Sequence, residues 1–241
     1  MNLHGRILRN VALACVVVVA LLAVGTSALA RDGAGRTGAD QGWKGLGLRA
    51  YWSVLREDQK SEAKAIVADH LARTAPDRWA AAARAVQFRA DVAAMLTPVQ
   101  RKAAGRLAWA RRHTPHAKRM VALARLLDET DRTALADEVA SLASAAPADK
   151  VKIGLGIHGR LFDLVEPKLA VYLDLTSEQR SQLRELYAGL MADLGPIALR
   201  LETAKAEDAR RGLALLDDEQ RATLKDLGAG ITEKVLAFLR G

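Results

Sequence analysis

The feature that most constrains this chain is a five-residue motif that recurs along it. Its complete copies are Leu96-Thr97-Pro98-Val99-Gln100 and Leu175-Thr176-Ser177-Glu178-Gln179, and Leu216-Asp217-Asp218-Glu219-Gln220 has Asp in place of Thr. The second residue can cap a helix through its side-chain oxygen, and the glutamine three positions later can reach back to the N–H of the cap. Pro98 occupies the first helical position, where proline is favoured. Each copy therefore predicts the beginning of a helix.

The spacing of the copies indicates an internal duplication. A degenerate copy begins at Leu55, where Arg56 cannot cap, and a looser one begins at Leu127. The distance from Leu55 to Leu96 is 41 residues, the distance from Leu175 to Leu216 is again 41, and the two pairs are offset by 120. A Gly-Leu-Gly-Leu segment at 45–48 echoes Gly-Leu-Gly-Ile at 154–157. These matches predict a helical module present twice, against the alternative that common capping boxes are evenly spaced by accident.

Composition and periodicity predict an all-α fold of antiparallel amphipathic helices. Alanine and leucine dominate, proline is rare, and no segment alternates with period two. The clearest apolar stripe comprises Leu183, Leu186, Tyr187, Leu190, Met191 and Leu194. Gly195-Pro196 predicts a break or kink after it. A second stripe, formed by Leu224, Leu227, Ile231, Val235 and Phe238, predicts an amphipathic final helix.

The first 30 residues have the order of a secretory signal peptide. A basic start with Arg6 and Arg9 precedes the uncharged segment 11–24, and small residues ending in Ala28-Leu29-Ala30 follow. We expect cleavage after Ala30 and a periplasmic location; the alternative is an uncleaved anchor. The sequence around Cys15 is a poor lipobox, so a lipoprotein is not expected. The mature chain would contain no cysteine and therefore no disulfide.

The mature chain divides into a Gly-rich flexible leader at 31–42 and two predicted modules, 43–145 and 146–241. The formal charge of the whole chain is +8, and removal of Arg6 and Arg9 with the signal leaves +6. An exported protein does not meet nucleic acid, so the positive charge favours acidic polypeptides or anionic envelope surfaces as partners.

The repeated motif resembles the LTxxQ hallmark of the Spy/CpxP family of periplasmic stress proteins. The matching segments are LTSEQRSQL and LDDEQRATL in the second half, and LTPVQRKAA with the weaker LREDQKSEA in the first. The resemblance implies small all-helical proteins that form cradle-shaped dimers. It also implies ATP-independent binding of unfolded proteins or restraint of an envelope-stress sensor kinase, and relatives in zinc resistance bind metal. This chain is longer, is predicted to contain the module twice and lacks a His-rich tract, so a monomeric pseudo-dimer and a homodimer both stay open.

Sequence patterns give no catalytic, cofactor or metal site, and we expect no enzymatic activity. His113 and His116 are separated by Pro115 and have no carboxylate or cysteine nearby to complete a metal site. The glycines at 154, 156 and 159 spell G-x-G-x-x-G without a preceding strand, so we interpret them as points of close helix approach or a hinge. His70 lies on an apolar stripe and is predicted to be a partly buried packing residue.

Two sets of residues are candidates for function. The motif residues are assigned to helix capping: Leu96, Thr97, Gln100, Leu175, Thr176, Gln179, Leu216, Asp217 and Gln220. A basic surface for unfolded clients is predicted from Arg101, Lys102, Arg106, Trp109, Arg111, Arg112, Lys118 and Arg119, although a solvated helix face would have the same composition. The expected function is a periplasmic ATP-independent chaperone; the alternatives are a partner of a sensor kinase or a metal-buffering or scaffold protein of the envelope.

Overall fold

The computed structural model describes residues 50–113, 127–142 and 144–227, and within them every regular element is a helix. The all-α prediction is therefore confirmed. The helices are α1 (Glu57–Met95), α2 (Pro98–His113), α3 (Glu129–Leu142), α4 (Pro147–Leu173) and α5 (Ser177–Ala214). Residues 50–54 and 218–227 are also helical. None of the helices in the described ranges is both long and apolar enough to span a bilayer. The predicted signal and leader, 1–42, lie outside these ranges.

Helices α1 and α5 lie antiparallel and form the central seam of the fold. Ion pairs join Asp69 to Arg211 at 2.6 Å, Asp77 to Arg200 at 2.6 Å and Arg84 to Asp193 at 3.4 Å. Residue numbers rise along α1 as they fall along α5, which fixes the antiparallel direction. The two helices have 39 and 38 residues, so the seam extends for nearly 60 Å.

Helix α4 covers one side of this seam. The ring of Phe162 stacks on Tyr187 of α5, with centroids 3.9 Å apart and planes inclined by 5°. Val165 and Leu183 complete this buried cluster, and Phe88 of α1 packs against it. The Tyr187 hydroxyl donates to the backbone carbonyl of His158 at 2.9 Å. Three helices thus share one apolar core, because each contributes a stripe of buried side chains to it.

The shorter helices pack mainly on α4. Helix α3 buries Leu135 and Ala136 against Ile157 and Leu161 of α4. Helix α2 buries Leu107 in a second cluster, which comprises Leu96, Leu107 and Leu173. Because α2 begins immediately after the end of α1, this cluster also closes one end of the seam.

Of the break or kink predicted at Gly195-Pro196, the break does not occur: α5 continues through Pro196 to Ala214. Pro76 lies inside α1 in the same way, 120 positions earlier, and both prolines are exposed. A proline removes one backbone donor, and packing along the rest of each long helix maintains the helix around it. The expected close approach at the glycines of α4 is also wrong, since a Cβ at any of them would meet no atom within 4 Å. Close approach occurs instead at Gly212, where a Cβ would lie 3.1 Å from the Tyr51 hydroxyl.

Glu166 is a buried charge that ties α4 to the first turns of α5. Its carboxylate accepts from Arg180 Nε at 2.8 Å and from Arg184 Nη2 at 2.7 Å, and its side chain is fully buried. The hydrogen bond from Arg180, assisted by Arg184, holds the pKa of Glu166 below its ordinary value of 4.5 despite burial. A lowered pKa means that this contribution to stability is present above pH 4.5 and is lost as the pH falls below it.

We predict that Glu166→Gln lowers the free energy of unfolding at pH 7 by roughly 2 kcal/mol, because the charge-assisted hydrogen bonds from two arginines to a buried acceptor are weakened. The variant should also lose part of the acid sensitivity of the wild type below pH 4.5. Urea denaturation from pH 7 to pH 3 measures both effects. Glu185→Gln, at an exposed position on α5, is the matched control. Equal stability of both variants would contradict the role of Glu166.

Candidate functional site

Two LTxxQ motifs that are far apart in sequence meet at one end of the seam. At the beginning of α2, the N–H of Thr97 donates to Gln100 Oε1 at 2.8 Å, and the N–H of Gln100 donates to Thr97 Oγ1 at 3.3 Å. The same two bonds form at the beginning of α5 between Thr176 and Gln179, at 3.0 and 3.1 Å. Both helices therefore begin with a complete capping box.

The two glutamines also bond to each other. Gln100 Nε2 donates to Gln179 Oε1 at 3.1 Å, and Gln179 Nε2 donates back to Gln100 Oε1 at 3.0 Å. The second amide hydrogens reach backbone carbonyls, that of Asp174 from Gln100 and that of Met95 from Gln179, both at 2.8 Å. Each carboxamide thus makes four hydrogen bonds, two as donor and two as acceptor, which is its full capacity. We call this arrangement a glutamine junction.

A second glutamine junction forms at the other end of the seam. Gln59 and Gln220 exchange amide bonds of 3.0 and 2.9 Å, and their second donors reach the carbonyls of Leu215 and Val54. The cap of the degenerate copy is incomplete, since Gln59 accepts from the N–H of Arg56 but Arg56 returns no cap bond. The Arg56 guanidinium instead pairs with Asp217, the cap of the opposing copy, at 2.6 Å.

The two junctions correspond bond for bond at a separation of 120 residues. The bond from Gln100 to Asp174 matches the bond from Gln220 to Val54, and the bond from Gln179 to Met95 matches that from Gln59 to Leu215. The first motif pairs with the last and the two middle motifs pair with each other. Leucines of the motifs surround each junction, with Leu96 buried at one and Leu55 and Leu216 at the other.

The capping-box prediction alone does not reveal these junctions. A capping box explains the hydrogen bond to Oε1 of the glutamine, but it gives no acceptor for the two hydrogens of Nε2. A signal was present, however, because four copies carry glutamine where glutamate would close a capping box equally well and suit the helix dipole better. An amide is required only where a donor is needed at the same position.

The predicted basic surface is partly assembled on one helix face. Lys102, Arg106 and Trp109 are exposed on the side of α2 that points away from the buried Leu107, and the exposed Val99 joins them. Arg101 lies at the edge of this face and reaches back to the carbonyl of Ala93 at 3.4 Å. The side chains of Arg111 and Arg112, and the residues Lys118 and Arg119, lie outside what the structure describes.

Sequence reasoning missed an uncharged exposed stripe along α1. It lies opposite the buried face and repeats every three or four residues: Ala65, Ala68, Ala72, Pro76, Trp79, Ala83, Val86, Ala90 and Ala94. The stripe spans 30 helical positions, a rise of about 44 Å. Trp79 is 74% exposed and Val86 57%. We call it the α1 stripe.

A cluster of ion pairs joins α1 to α5 near the second glutamine junction. Asp208 accepts from Arg73 at 2.6 Å, from His70 Nδ1 at 2.8 Å and from Arg211 at 3.0 Å. Asp69 pairs with both arginines. His70 is therefore partly buried as expected, but its ring contacts a carboxylate rather than serving only for packing, because α5 places Asp208 beside it.

His158 is a partly buried, neutral histidine on α4. Burial lowers its pKa to about 4, and its Nδ1 has no hydrogen-bond partner among the described residues. Within the described ranges, no three His, Cys, Asp or Glu side chains lie close enough together to hold a metal ion. His113 ends α2, and His116 lies outside these ranges.

Comparison of the chain with protein-family models, with curated proteins and with solved structures finds no match. The resemblance to the Spy/CpxP family accordingly rests on the LTxxQ motifs.

We predict that Gln179→Glu destabilises the protein by roughly 2–3 kcal/mol, whereas a plain capping box would tolerate it. Glutamate can still accept from the N–H of Thr176, but it cannot donate to the partly buried Met95 carbonyl, which loses its partner. Thr176→Ala removes only the cap and should cost about 1 kcal/mol. Urea denaturation at pH 7 gives the free energy of unfolding of the wild type and of the two variants.

Gln182→Glu, at an exposed position one turn further along α5, is the control and should leave stability within about 0.5 kcal/mol of wild type. A Gln179→Glu variant as stable as this control would mean that the amide donors of the junction contribute nothing.

We also predict that His158 makes the wild type less stable as the pH falls from 6.5 toward 4. The unfolded chain binds a proton near the ordinary pKa of 6.5 while the folded chain does not until about 4, so protonation favours unfolding in this window. His158→Leu should remove that slope between pH 6.5 and 5 in thermal or urea denaturation. Above pH 7 His158 is neutral in both the folded and the unfolded chain. The free energy of unfolding should therefore change with pH equally in the wild type and in His158→Leu there. An unchanged slope in the variant at lower pH would exclude this effect.

Proposed function

We propose that this chain is a periplasmic, ATP-independent chaperone of the Spy type, which binds unfolded or misfolded envelope proteins. The observation that carries the proposal is the α1 stripe. Exposed uncharged surface of this length on a soluble protein marks a site of interaction. It is mostly alanine, with Trp79 and Val86 as the large groups, so it offers weak apolar contact to many sequences rather than a pocket for one.

The exposed face of α2, which carries both cationic and apolar side chains and which we call the mixed face, supports the same proposal through its charge. Lys102 and Arg106 lie there between the exposed apolar side chains of Val99 and Trp109. Cations attract acidic segments over a distance, and the apolar groups beside them supply short-range contact. This combination suits a client that must be captured quickly and held loosely.

The glutamine junctions support a duplicated module working as a monomeric pseudo-dimer. The first and last motifs pair within one chain, as do the two middle ones, and every carboxamide is already satisfied internally. No amide donor of a junction is left for a second copy. The twofold cradle that the family forms from two chains would here be built by one.

We predict that the purified protein suppresses aggregation of a reduced or denatured client at near-stoichiometric ratios without nucleotide. Suppression should weaken with salt, because part of the attraction is electrostatic. The double variant Trp79→Glu, Val86→Glu should need several-fold more protein for the same light-scattering reduction. The measurement is light scattering after dilution of the client, at low and high salt.

The control is Val171→Glu, which places a charge at an 82% exposed valine on α4, away from the α1 stripe. It should suppress aggregation as the wild type does. No suppression by the wild type at large excess would overturn the general chaperone, and capture of one stoichiometric envelope partner would then favour the regulatory alternative. Equal activity of the stripe variant would remove the α1 stripe as the binding surface.

A further inference from the structure

The seam carries an open groove between the C-terminal half of α1 and the N-terminal half of α5. Its volume is about 610 Å³. Apolar side chains line its floor: Phe88, Met95, Leu186 and Leu190. Gly189 also lines it, and a Cβ added there would meet no atom within 4 Å. The groove therefore has unoccupied space directly above a helix backbone.

The rim of the groove is acidic, although the chain as a whole is basic. Three carboxylates line it, those of Asp91, Glu185 and Asp193, with Arg84 as the only cation in the lining. Arg84 pairs with Asp193 at 3.4 Å, while Gln87 donates to Asp91 at 2.8 Å. Among the described residues, neither Asp91 nor Glu185 has an ion-pair partner.

The opposite end of the seam shows what fills the corresponding space there. Positions 120 residues away from groove residues carry the ion-pair cluster described above. Asp69 corresponds to Gly189, and Asp208 corresponds to Phe88. The cations correspond to carboxylates, Arg73 to Asp193 and Arg211 to Asp91. At the end near Asp208, arginines of the chain itself fill the space between the helices. At the groove, carboxylates surround an apolar floor, and Gly189 has no side chain to fill the space.

We propose that the groove binds cationic amphipathic segments of unfolded clients, a proposal that rests on the proposed chaperone function. Lysine or arginine of the segment would pair with Asp91 and Glu185, as Arg73 and Arg211 pair with carboxylates at the opposite end. Leucine or phenylalanine of the same segment would contact Phe88 and Leu186. The groove follows positions 84–95 of α1, about 17 Å, which accommodates about five residues of an extended chain.

The groove thereby complements the mixed face of α2, which has the opposite charge. An unfolded protein presents both acidic and basic segments, so two surfaces of opposite sign allow one chaperone to hold either kind. Charge complementarity at the rim selects the segment, and the apolar floor supplies contact that salt does not screen.

Fluorescence anisotropy with two labelled peptides of about ten residues tests the proposal. Both have leucine and phenylalanine at the same positions; one has lysine at the polar positions and the other glutamate. We expect the wild type to bind both peptides, the lysine peptide in the groove and the glutamate peptide at the basic face of α2. Gly189→Phe should fill the groove, and Asp91→Lys with Glu185→Lys should reverse its rim; each should weaken binding of the lysine peptide at least tenfold.

Two controls separate the groove from general effects. Gly189→Ala adds only a methyl group in open space and should bind the lysine peptide as the wild type does. Asp226→Lys makes a charge reversal at an exposed position outside the groove and should change affinity less than twofold. Circular dichroism establishes that each variant remains helical, and the rim variant provides the test if Gly189→Phe does not fold.

The outcomes distinguish this proposal from the chaperone function itself. Wild-type affinity for the lysine peptide in both groove variants, with aggregation suppression intact, would overturn the groove and leave the chaperone. A wild type that suppresses no aggregation would overturn the chaperone whatever the peptides do. An equal loss of affinity for the lysine and the glutamate peptides in the rim variant would overturn the acidic rim as the selecting feature.

Discussion

The arrangement of this protein depends on a glutamine side chain that is used to its full capacity. At each junction, one carboxamide closes a capping box with its oxygen and crosses to another helix with its nitrogen. The beginning of a helix is the place where backbone donors lack partners, and the end of the preceding helix leaves carbonyls without donors. The junction satisfies both deficits with one pair of side chains, as Gln100 and Gln179 do for Met95 and Asp174. It thereby fixes where four helix ends lie relative to one another.

Once both ends of the seam are fixed, the antiparallel register of α1 and α5 follows. The buried stripes then need only modest apolar content, and small residues such as Ala63 and Ala81 suffice on α1. The larger side chains are concentrated where α4 joins, around Phe162 and Tyr187. Ion pairs along the seam are mostly half-exposed and contribute little to stability individually; Glu166 differs, because it is buried and lies between two arginines.

The two ends of the seam are alike in their junctions and unlike in what lies beside them. Near Gln59 and Gln220, the space between the helices is filled by the charged groups around Asp208. Near Gln100 and Gln179, equivalent positions carry Phe88, Leu190 and Gly189, and a groove remains. If the chain arose by duplication, the junctions kept the scaffold while the adjacent positions were free to differ. A single chain can vary its halves independently, whereas a homodimer cannot.

The sequence by itself determined the helical class and where four of the helices begin, because capping boxes and apolar periodicity are local and use neighbouring residues. It also located three glutamines of the junctions, Gln100, Gln179 and Gln220, but as caps only, and it placed Gln59 in a degenerate copy of the motif. Only the tertiary structure decided which motif pairs with which, since the amide donors reach carbonyls 74 or more positions away. The continuity of α5 through Pro196, the α1 stripe and the acidic groove were likewise decided there. Each depends on which face of a helix a neighbour covers, and the local sequence of a helix does not specify which other helix packs on a given face.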